Sequence, residues 1–491
     1  MSEQLIHIEF DASRTLNEQV REHLVDMIVA GRIPVDIPLP SSRNMAKMLG
    51  ISRNTVMQVY EDLVDMEYLT AAPRQGYFVN KDAQTCKMKS EHIQVDNANS
   101  ERLVDWDKRF NTRPGNKKNI VKPSNWARFE YPFIYGQVDP QLFPENSWRE
   151  CGYMALSGYK SKHWSHDWVD GDYCLLVDQL RSKILPRRGI FAETSEILVT
   201  IGTQNSLYIL ANLLMNKDTK VGVEDPGFPD ARNIFSTFNA DIRFLPVDEE
   251  GLKVDAESEK ALSELDYLYI TPSHQVPTGA VLSSARRAKL LELAEKHDFV
   301  LIEDDYDAEI NLQANVQPAL RAADRNNRVI YIGSMSKSIA PGLRLGFMVA
   351  DEDLIYEARS LRRLMYRHVP VLNQRQLALF FSRGYYDNYL RKLREHYEQK
   401  LSLMKEGIAE HLPDFFQQSS TSGATSIWLK GPEGFDTEQL AWKAAKNGIL
   451  IEPGSIHFAE GQPKNYLRLG FSAIQSEKIN PGLQLLGKLI D

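Results

Sequence analysis

Five short apolar runs, each followed by a turn, recur between residues 197 and 332 and constrain the fold more than any other feature of the sequence. Helical patterns, such as the one over residues 283–297, separate several of them. This alternation is typical of a mostly parallel sheet covered by helices. The runs are 197–201, 220–223, 267–271, 299–302 and 329–332. We therefore predict an α/β domain whose ligands bind beyond the carboxyl ends of the strands.

A polar segment, GSMSKSIAPGLRLGF over residues 333–347, follows the last of these runs. Ser334, Ser336 and Arg344 supply hydroxyl donors and a planar guanidinium that suit a phosphate. Lys337, set in a Ser-x-Ser-Lys run, is placed to form a Schiff base with pyridoxal phosphate. The alternative is a solvated basic turn after a strand, because short motifs also occur by chance.

Residues that follow two other runs suit the same ligand. Thr203 and Gln204 follow Gly202 and begin a helical pattern, and free backbone donors at a helix start bind anions. Phe228 follows a Pro-Gly turn and is able to stack on a flat ring, although a core phenylalanine is the simpler interpretation.

Two charged residues in apolar surroundings need partners. Asp304, within EDDYDAE, is a carboxylate at a strand end, and a protonated pyridine nitrogen is a suitable partner for it. Tyr306 is close enough in sequence to reach the phenolic oxygen of the same ring. Arg468 lies inside an apolar strand and needs a carboxylate or another anion, which a structural ion pair would also provide.

The beginning of the chain shows a different pattern, of three helical periods. The first covers residues 15–33, the second begins at Ser41 and stops at Gly50, and the third begins at Ser52. The last two form a helix-turn-helix arrangement, with Arg53, Asn54 and Thr55 at the exposed beginning of the helix that enters the major groove. Residues 68–79 predict a β-hairpin wing whose turn lies near Arg74, Gln75 and Gly76.

The charge of the whole chain neither supports nor excludes DNA binding, and the acidic balance of its first 80 residues weakens that hypothesis unless the charges are segregated. Residues 1–80 hold seven Lys and Arg against eleven Asp and Glu, a net charge of -4, and the whole chain carries -8. Residues 41–60, however, hold three cations and no carboxylate. A small helical scaffold for protein contacts is the alternative.

The three cysteines, Cys86, Cys151 and Cys174, have no spacing typical of a disulfide framework or a zinc site, so we expect no metal and a reducing cytoplasm. The N-terminus lacks a basic-then-apolar leader, and the longest uncharged run, 197–216, is interrupted by polar residues, so we expect no membrane span. Residues 81–128 are polar and without a period, and we interpret them as a linker between the DNA-binding module, 1–80, and the α/β domain, 129–491. Within the linker, Lys117 and Lys118 belong to a solvated tether or contact the DNA backbone.

The run over residues 39–79 resembles the winged helix-turn-helix of GntR-type bacterial regulators. In that family the positions that match Arg43, Arg53 and Thr55 face DNA. The turn before Gly76 is poorer in glycine than is usual, but the resemblance still includes Gly76 in the DNA-binding set.

Residues 129–491 resemble a fold-type I aminotransferase domain, and the whole chain resembles the MocR/GabR-type regulators, with SMSKSIAPGLRLG and EDDYD as specific motifs. The resemblance implies that Lys337 carries the internal aldimine of pyridoxal 5'-phosphate. Asp304 then pairs with the ring nitrogen, Tyr306 with O3', and Arg468 with the carboxylate of an incoming amino acid. The other implied contacts are with the phosphate, from Thr203, Gln204, Ser334, Ser336 and Arg344, and stacking on the ring, from Phe228. Val276 stands where catalytic aminotransferases usually have an asparagine.

The fusion favours a transcriptional regulator that senses a small amine or amino acid by external aldimine formation. The alternative is a working aminotransferase with an accessory DNA-binding module, since the released Lys337 is able to move a proton. A protein-interaction module built on an inactive cofactor fold is the third reading. Operator DNA, the effector and a second copy of the chain are the expected partners, because helix-turn-helix proteins pair on half-sites and the family forms its cofactor pockets between subunits.

Overall fold

The computed structural model describes residues 8, 10–11, 14–73, 75–84, 104–157, 164–167, 171–312, 317–335, 337–419, 425–459 and 461–490. The chain forms two compact units, Met1–Arg109 and Phe110–Asp491. The second unit thus begins inside the segment that we interpret as a linker. Of that segment, residues 85–103 lie outside the described residues.

The described part of the first unit contains three longer helices, a hairpin and a short fourth helix, and the three longer helices begin with local capping chemistry. The hydroxyls of Thr15, Ser41 and Ser52 each accept a hydrogen bond from a backbone N–H in the first turn of the helix that follows. Gly50 ends the second helix in the left-handed region, at φ 66°. The elements are α1 (Leu16–Val29), α2 (Ser42–Leu49), α3 (Arg53–Asp65), β1 (Leu69–Ala72), β2 (Gly76–Val79) and a short α4 (Lys81–Gln84). The predicted helix-turn-helix is confirmed.

The predicted wing is confirmed as the antiparallel pair β1 and β2, in which Leu69 lies opposite Val79 and Ala72 opposite Gly76. Arg74, in its turn, lies outside the described residues. Tyr60 connects the parts of the unit, because it packs on Tyr77 of the wing and its hydroxyl donates to the Pro40 carbonyl at 2.9 Å.

An eight-stranded sheet forms the centre of the second unit. Its strands are β4 (Ile197–Thr200), β5 (Lys220–Asp225), β6 (Asp241–Asp248), β7 (Gly251–Leu252), β8 (Tyr267–Ile270), β9 (Val300–Asp305), β10 (Val329–Ser334) and β11 (Gly346–Val349). They lie in the order β4-β11-β10-β9-β8-β5-β6-β7. The pairs from β10 to β6 are parallel, whereas β11 runs antiparallel to both β10 and β4, and β7 runs antiparallel to β6. The predicted mostly parallel sheet is confirmed.

Three of the strands continue beyond the apolar runs that predicted them. β5 reaches Asp225, β9 reaches Asp305 and β10 reaches Ser334. Pairing with the neighbouring strand holds these polar residues in the sheet, since Asp304 lies opposite Ile332 and Asp305 opposite Gly333. Some of the polar residues that we predicted to follow the strands are therefore the last residues of those strands.

Helices cover this sheet, and a smaller sheet lies in the last part of the chain. The helices are α5 (Glu145–Leu156), α6 (Cys174–Gln179), α7 (Thr203–Leu214), α8 (Pro229–Thr237), α9 (Ala256–Leu262), α10 (Ser284–His297), α11 (Leu320–Ala323), α12 (Glu352–Tyr366), α13 (Val371–Ser382), α14 (Tyr385–His411), α15 (Thr437–Lys446) and α16 (Ser476–Ile490). The remaining strands are β3 (Tyr131–Pro132), β12 (Gln417–Gln418), β13 (Ser426–Lys430), β14 (Ile449–Leu450), β15 (Glu452–Pro453) and β16 (Tyr466–Gly470). In the described part of the chain, no helix has both the length and the apolarity that crossing a bilayer requires.

The small sheet, in the order β12-β13-β16-β15, is antiparallel. It places Arg468 inside β16, as the apolar pattern around that residue predicted, between Trp428 on β13 and Glu452 on β15. Buried side chains of β13 and β16 join one large core with those of α13, α14 and α16. Arg468 is thus held by strands on both sides.

The stretch over residues 110–128, at the start of the second unit, contacts other parts of that unit. Lys117 Nζ donates to Ser236 Oγ, Lys118 Nζ donates to Gln462 Oε1 at 3.0 Å, and the Lys118 carbonyl accepts from Asn233 at 2.9 Å. These contacts differ from the solvated tether that we expected. The polar composition that suggested a tether supplies hydrogen bonds to the domain surface instead.

Candidate functional site

A cavity of about 310 Å³ in the second unit gathers nearly all of the predicted cofactor and effector residues. Its walls include Thr203, Gln204, Phe228, Asp304, Tyr306, Ser334, Lys337, Arg344 and Arg468. Ser336 lies outside the described residues. The cavity lies where the parallel strands end, as expected for a sheet of this kind.

Asp304 faces this cavity because strand residues alternate between the two faces of a sheet. Its Oδ2 accepts a hydrogen bond from the Tyr269 hydroxyl at 2.7 Å, whereas its buried Oδ1 has no hydrogen-bond partner among the described residues. Burial raises the pKa of Asp304 to about 8. A buried carboxylate oxygen without a donor is costly, and a protonated ring nitrogen would supply one.

The two neighbours of Asp304 hold the strand end in place. Glu303 accepts from the backbone N–H groups of Leu320 and Arg321, at 2.8 and 3.0 Å. Asp305 accepts from Arg188 Nε at 2.7 Å and from the Tyr331 hydroxyl at 2.9 Å. Of these three consecutive carboxylates, only Asp304 lines the cavity.

Lys337 reaches the cavity beside Tyr135, with its Nζ 4.7 Å from the centre of that ring. Burial, together with the nearby charges of Lys122 and Arg468, lowers the pKa of Lys337 to about 8. Gly136, at φ 78°, leaves room for it, since a Cβ at Gly136 would lie 2.5 Å from Lys337 Nζ. A larger fraction of Lys337 is therefore neutral near pH 7 than of an ordinary lysine, and a neutral amine is the nucleophilic form.

Another part of the cavity is suited to an anion. Gly202, at φ 107°, precedes α7 and has no side chain to cap it, so the first N–H groups of the helix stay available. A terminal nitrogen of Arg344 lies 3.2 Å from where a Cβ of Gly202 would be. Thr203 and Ser334 line the same cavity, and Gln204 donates to Asp230. Helix N-terminus, guanidinium and hydroxyls together form a donor set that suits a phosphate.

Arg468 is buried, and its charge is not neutralised nearby. Its Nε donates to Ser426 Oγ at 3.0 Å, and its guanidinium carbon lies 3.6 Å from the centre of the Tyr135 ring. No carboxylate of a described residue lies within ion-pair distance of it. The structural ion pair that we considered is thus not found in the described part of the chain, and the guanidinium remains available to an anion in the cavity.

Tyr306, Phe228 and Val276 form the apolar part of the wall with Tyr135. The Tyr306 hydroxyl donates to the His274 carbonyl at 2.9 Å, which fixes its orientation at the cavity. The predicted contacts of Tyr306 with a ring oxygen and of Phe228 with a ring face stay predictions.

Sequence reasoning missed Lys122, Tyr135 and Glu452, which also line the cavity. Lys122 Nζ lies 3.5 Å from Glu452 Oε1, and the Tyr135 N–H donates to Glu452 Oε2 at 3.2 Å. Glu452 carries a signal that could have found it, because it follows an apolar run in ILIEPG just as Asp304 follows one. Lys122 and Tyr135 lie in segments without any periodic pattern.

In the first unit, four of the predicted DNA-binding residues belong to the two helices of the helix-turn-helix. Arg43, Arg53 and Asn54 are exposed, and Thr55 is half-buried. Arg53 Nε donates to Ser42 Oγ at 3.4 Å, and the Thr55 hydroxyl shares a hydrogen bond with Ser52 Oγ at 2.9 Å. A separate element, the wing, carries Gly76, which is exposed at φ 113°.

The model of the family "Aminotransferase class I and II" matches residues 176–486, and that of "Bacterial regulatory proteins, gntR family" matches residues 16–79. The HTH-type transcriptional regulator TauR of Rhodobacter capsulatus is 36% identical over 97% of this chain and 96% of its own. The probable rhizopine catabolism regulatory protein MocR of Rhizobium meliloti is 28% identical over 98% of this chain and 95% of its own. A solved Pyrococcus horikoshii kynurenine aminotransferase, in complex with PMP, has a TM-score of 0.71 at 26% identity, covering 79% of this chain and 98% of that one.

Proposed function

Because the chain belongs to the MocR-type transcriptional regulators, in which a GntR-type DNA-binding domain precedes an aminotransferase class I and II domain, we propose that it regulates transcription by sensing a small amine or amino acid in the aminotransferase-like cavity. The relatives that match almost the whole chain are regulators, which supports this use of the fold. The solved aminotransferase of the same fold covers 79% of this chain.

One observation carries the proposal: Lys337 and the unneutralised Arg468 both lie against the ring of Tyr135 in one cavity. A small molecule with an amine at one end and an anionic group at the other matches this pair of residues. Arg468 binds the anionic group, and the amine lies towards Lys337. Both groups lie close to the centre of the same ring, at 4.7 Å for Lys337 Nζ and 3.6 Å for the guanidinium carbon of Arg468.

The residues present fit pyridoxal phosphate as the resident cofactor. When bound, this cofactor supplies an aldehyde carbon that condenses reversibly with primary amines. Lys337 is the residue placed to hold that carbon, and Asp304 Oδ1 is the acceptor for the ring N–H. Arg344, Ser334 and the N-terminus of α7 bind the phosphate. Ser336 belongs to the same proposal on the strength of the sequence.

An effector that takes the place of Lys337 changes two things in the protein. The Lys337 amine becomes free, and Arg468 gains a partner. The Lys337 amine and the contacts of Arg468 therefore differ between the effector-free and the effector-bound protein. A ligand shifts a conformational equilibrium only through such differences. The proposal includes a homodimer, because helix-turn-helix domains bind paired half-sites.

The test compares operator binding with and without amines in the cofactor-loaded protein. In the native chain, at least one amine should change both the visible absorbance of the cofactor and the affinity for operator DNA. Lys337→Ala should lose both responses and keep basal DNA binding, whereas Lys405→Ala, which replaces an exposed lysine of α14, should behave like the native chain.

Arg53→Ala supplies the opposite pattern. It should weaken operator binding by about 1–3 kcal/mol, the usual range for one arginine contact to a base, and leave the cofactor absorbance unchanged. Operator affinity that no amine changes, or that Arg53→Ala leaves intact, would contradict the regulator proposal.

An aminotransferase is the second candidate, and the pKa of Lys337, lowered to about 8, favours it. A lysine with such a pKa is able to accept and return a proton near neutral pH. Incubation of the loaded protein with an amino acid and a 2-oxo acid separates the two functions. An enzyme accumulates many products per site, whereas a sensor forms about one or none.

A further inference from the structure

Lys122 and Glu452 form an ion pair in the wall of the cavity beside Arg468. The two groups are 3.5 Å apart, and both are largely buried, with side-chain exposures of 22% and 13%. The Tyr135 N–H holds the other oxygen of Glu452 at 3.2 Å. Glu452 also lies directly opposite Arg468 in the pairing of β15 with β16, so the backbone fixes its position.

The charges of the cavity can be assigned one by one, on the basis of the proposed function. Arg344 and the N-terminus of α7 would hold the phosphate of the proposed cofactor, Asp304 would accept from its ring N–H, and Lys337 would hold its aldehyde carbon. Lys122 neutralises Glu452. Arg468 is then the cation of the cavity wall that keeps an uncompensated charge, among the residues that the structure describes.

We infer that the Lys122–Glu452 pair restricts the effector to amines that carry a single anionic group, which Arg468 binds, and excludes amino diacids. A second carboxylate beside Arg468 meets Glu452, and it gains Lys122 only by separating a pair that is already formed. Like charges in a site with little water repel strongly. This inference rests on the proposed function, because it concerns the same cavity and the same effector.

The environment of Lys122 supports the inference. Burial lowers the pKa of Lys122, and the charge of Glu452 acts in the opposite direction, to keep the ammonium protonated. The carboxylate thus offsets part of the effect of burial on the pKa of Lys122. If Lys122 is removed, Glu452 is left as an unpaired carboxylate opposite Arg468, and it then competes with the effector for that guanidinium.

The experiment measures dissociation constants of the cofactor-loaded full chain for matched amines that differ by one carboxylate. The monoacids are L-alanine, β-alanine and 4-aminobutyrate, and the diacids are L-aspartate and L-glutamate. Binding is followed by calorimetry and by cofactor absorbance. In the native chain, the best monoacid should bind at least tenfold more tightly than either diacid.

Three variants then separate charge selection from a structural role. Glu452→Gln should improve binding of a diacid at least tenfold, because Lys122 is released to bind the second carboxylate. Lys122→Met should weaken monoacid binding at least tenfold. The double variant, with both residues replaced, should return monoacid binding to within about threefold of the native value and leave diacid binding weak.

A control addresses charge in general. Lys464, which pairs with Asp436 on the surface at 3.3 Å, is replaced by methionine, and this variant should keep the native ratio of monoacid to diacid affinity.

If the ratio of monoacid to diacid affinity in Glu452→Gln equals the native ratio, or if the native chain prefers a diacid, the inference is wrong. A pair with only a structural role would weaken both classes equally and lower the melting temperature. A native chain that binds none of these amines would instead contradict the proposed function itself.

Discussion

Two adjacent carboxylates of β9 show how partners decide the state of a buried acid. Asp305 shares its oxygen with Arg188 and Tyr331, at 2.7 and 2.9 Å. Burial alone would raise the pKa of Asp305, but Arg188 and neighbouring hydroxyls outweigh it and lower the pKa. Burial raises the pKa of Asp304 to about 8, because the hydrogen bond from Tyr269 offsets only part of its effect. Asp305 therefore has a positively charged partner in Arg188, whereas Asp304 forms no ion pair with a described residue.

The pH dependence of Asp304→Asn tests this contrast in cofactor-free protein. A folded-state pKa above the unfolded value means that stability present at low pH is lost as pH rises from about 4 to about 8. Asparagine does not ionise, so we expect Asp304→Asn to be more stable than the native chain by about 5 kcal/mol at pH 9 and nearly equal to it at pH 4. Denaturant unfolding at both pH values measures the difference.

Asp305→Asn is the control with the opposite sign. The lowered pKa of Asp305 contributes stability above the unfolded value of about 4, so its loss should destabilise the protein at pH 9 and matter less at low pH. Asp304→Asn should also bind the cofactor more weakly than the native chain does, because the ring N–H loses its anionic acceptor. A native-like pH profile in Asp304→Asn would show that Asp304 is not the buried uncompensated acid.

At the scale of elements, the turn between β4 and α7 combines several constraints in one glycine. Gly202 adopts φ 107°, a Cβ there would lie 3.2 Å from Arg344, and a Cβ on Gly346 of β11 would lie 2.9 Å from Gly202. The antiparallel pairing of β11 with β4 creates this close approach. Close strand packing thus brings the guanidinium to the start of the helix.

We expect Gly202→Ala to destabilise the protein by about 1–3 kcal/mol through backbone strain and to weaken cofactor binding, because the new methyl group displaces Arg344. Gly384→Ala is the matched control, since Gly384 also has a positive φ, 74°, but no atom of the described residues lies within 4 Å of its Cβ position. It should lose similar stability and keep native cofactor affinity. Equal cofactor affinity in both variants would show that Arg344 does not bind the phosphate.

Local pattern predicted most of these elements, because apolar runs, caps and turns act over a few residues. The strands over 197–201 and 329–332 and the helix over 283–297 lie where they were expected. The pattern missed the polar ends of β9 and β10, which pairing with neighbouring strands stabilises. It also missed Lys122 and Glu452, since 330 positions separate them in sequence and only the tertiary fold brings them together.

At the scale of the whole molecule, the proposed function requires that the cavity of the second unit influence DNA binding by the first. The coupling is a free energy between two sites, usually about 1–3 kcal/mol, which corresponds to about 5- to 150-fold in affinity. The residues proposed to bind the effector and those proposed to bind DNA belong to different units. Their contributions should therefore be separable by substitution.

Arg468→Met should leave operator affinity in the absence of amine and the cofactor absorbance unchanged, and it should abolish the change in operator affinity that amines cause. The reason is that Arg468 contributes the contact that only the effector-bound state makes. Arg43→Ala is the complementary variant: it should weaken operator binding and preserve the amine response. Gel-shift titrations with and without amine measure both, and an amine response that survives Arg468→Met would contradict the role given to this arginine.

The position of Lys122 has a practical consequence for the exchange of domains between regulators. The residue lies twelve positions after the start of the second unit at Phe110 and before its first strand, Tyr131–Pro132, whereas its partner Glu452 lies near the end of the chain. A chimera joined at residue 131 would keep this lysine and import a foreign residue opposite it. Biosensors built from this scaffold should therefore be joined before Phe110, so that both members of the pair come from the same parent.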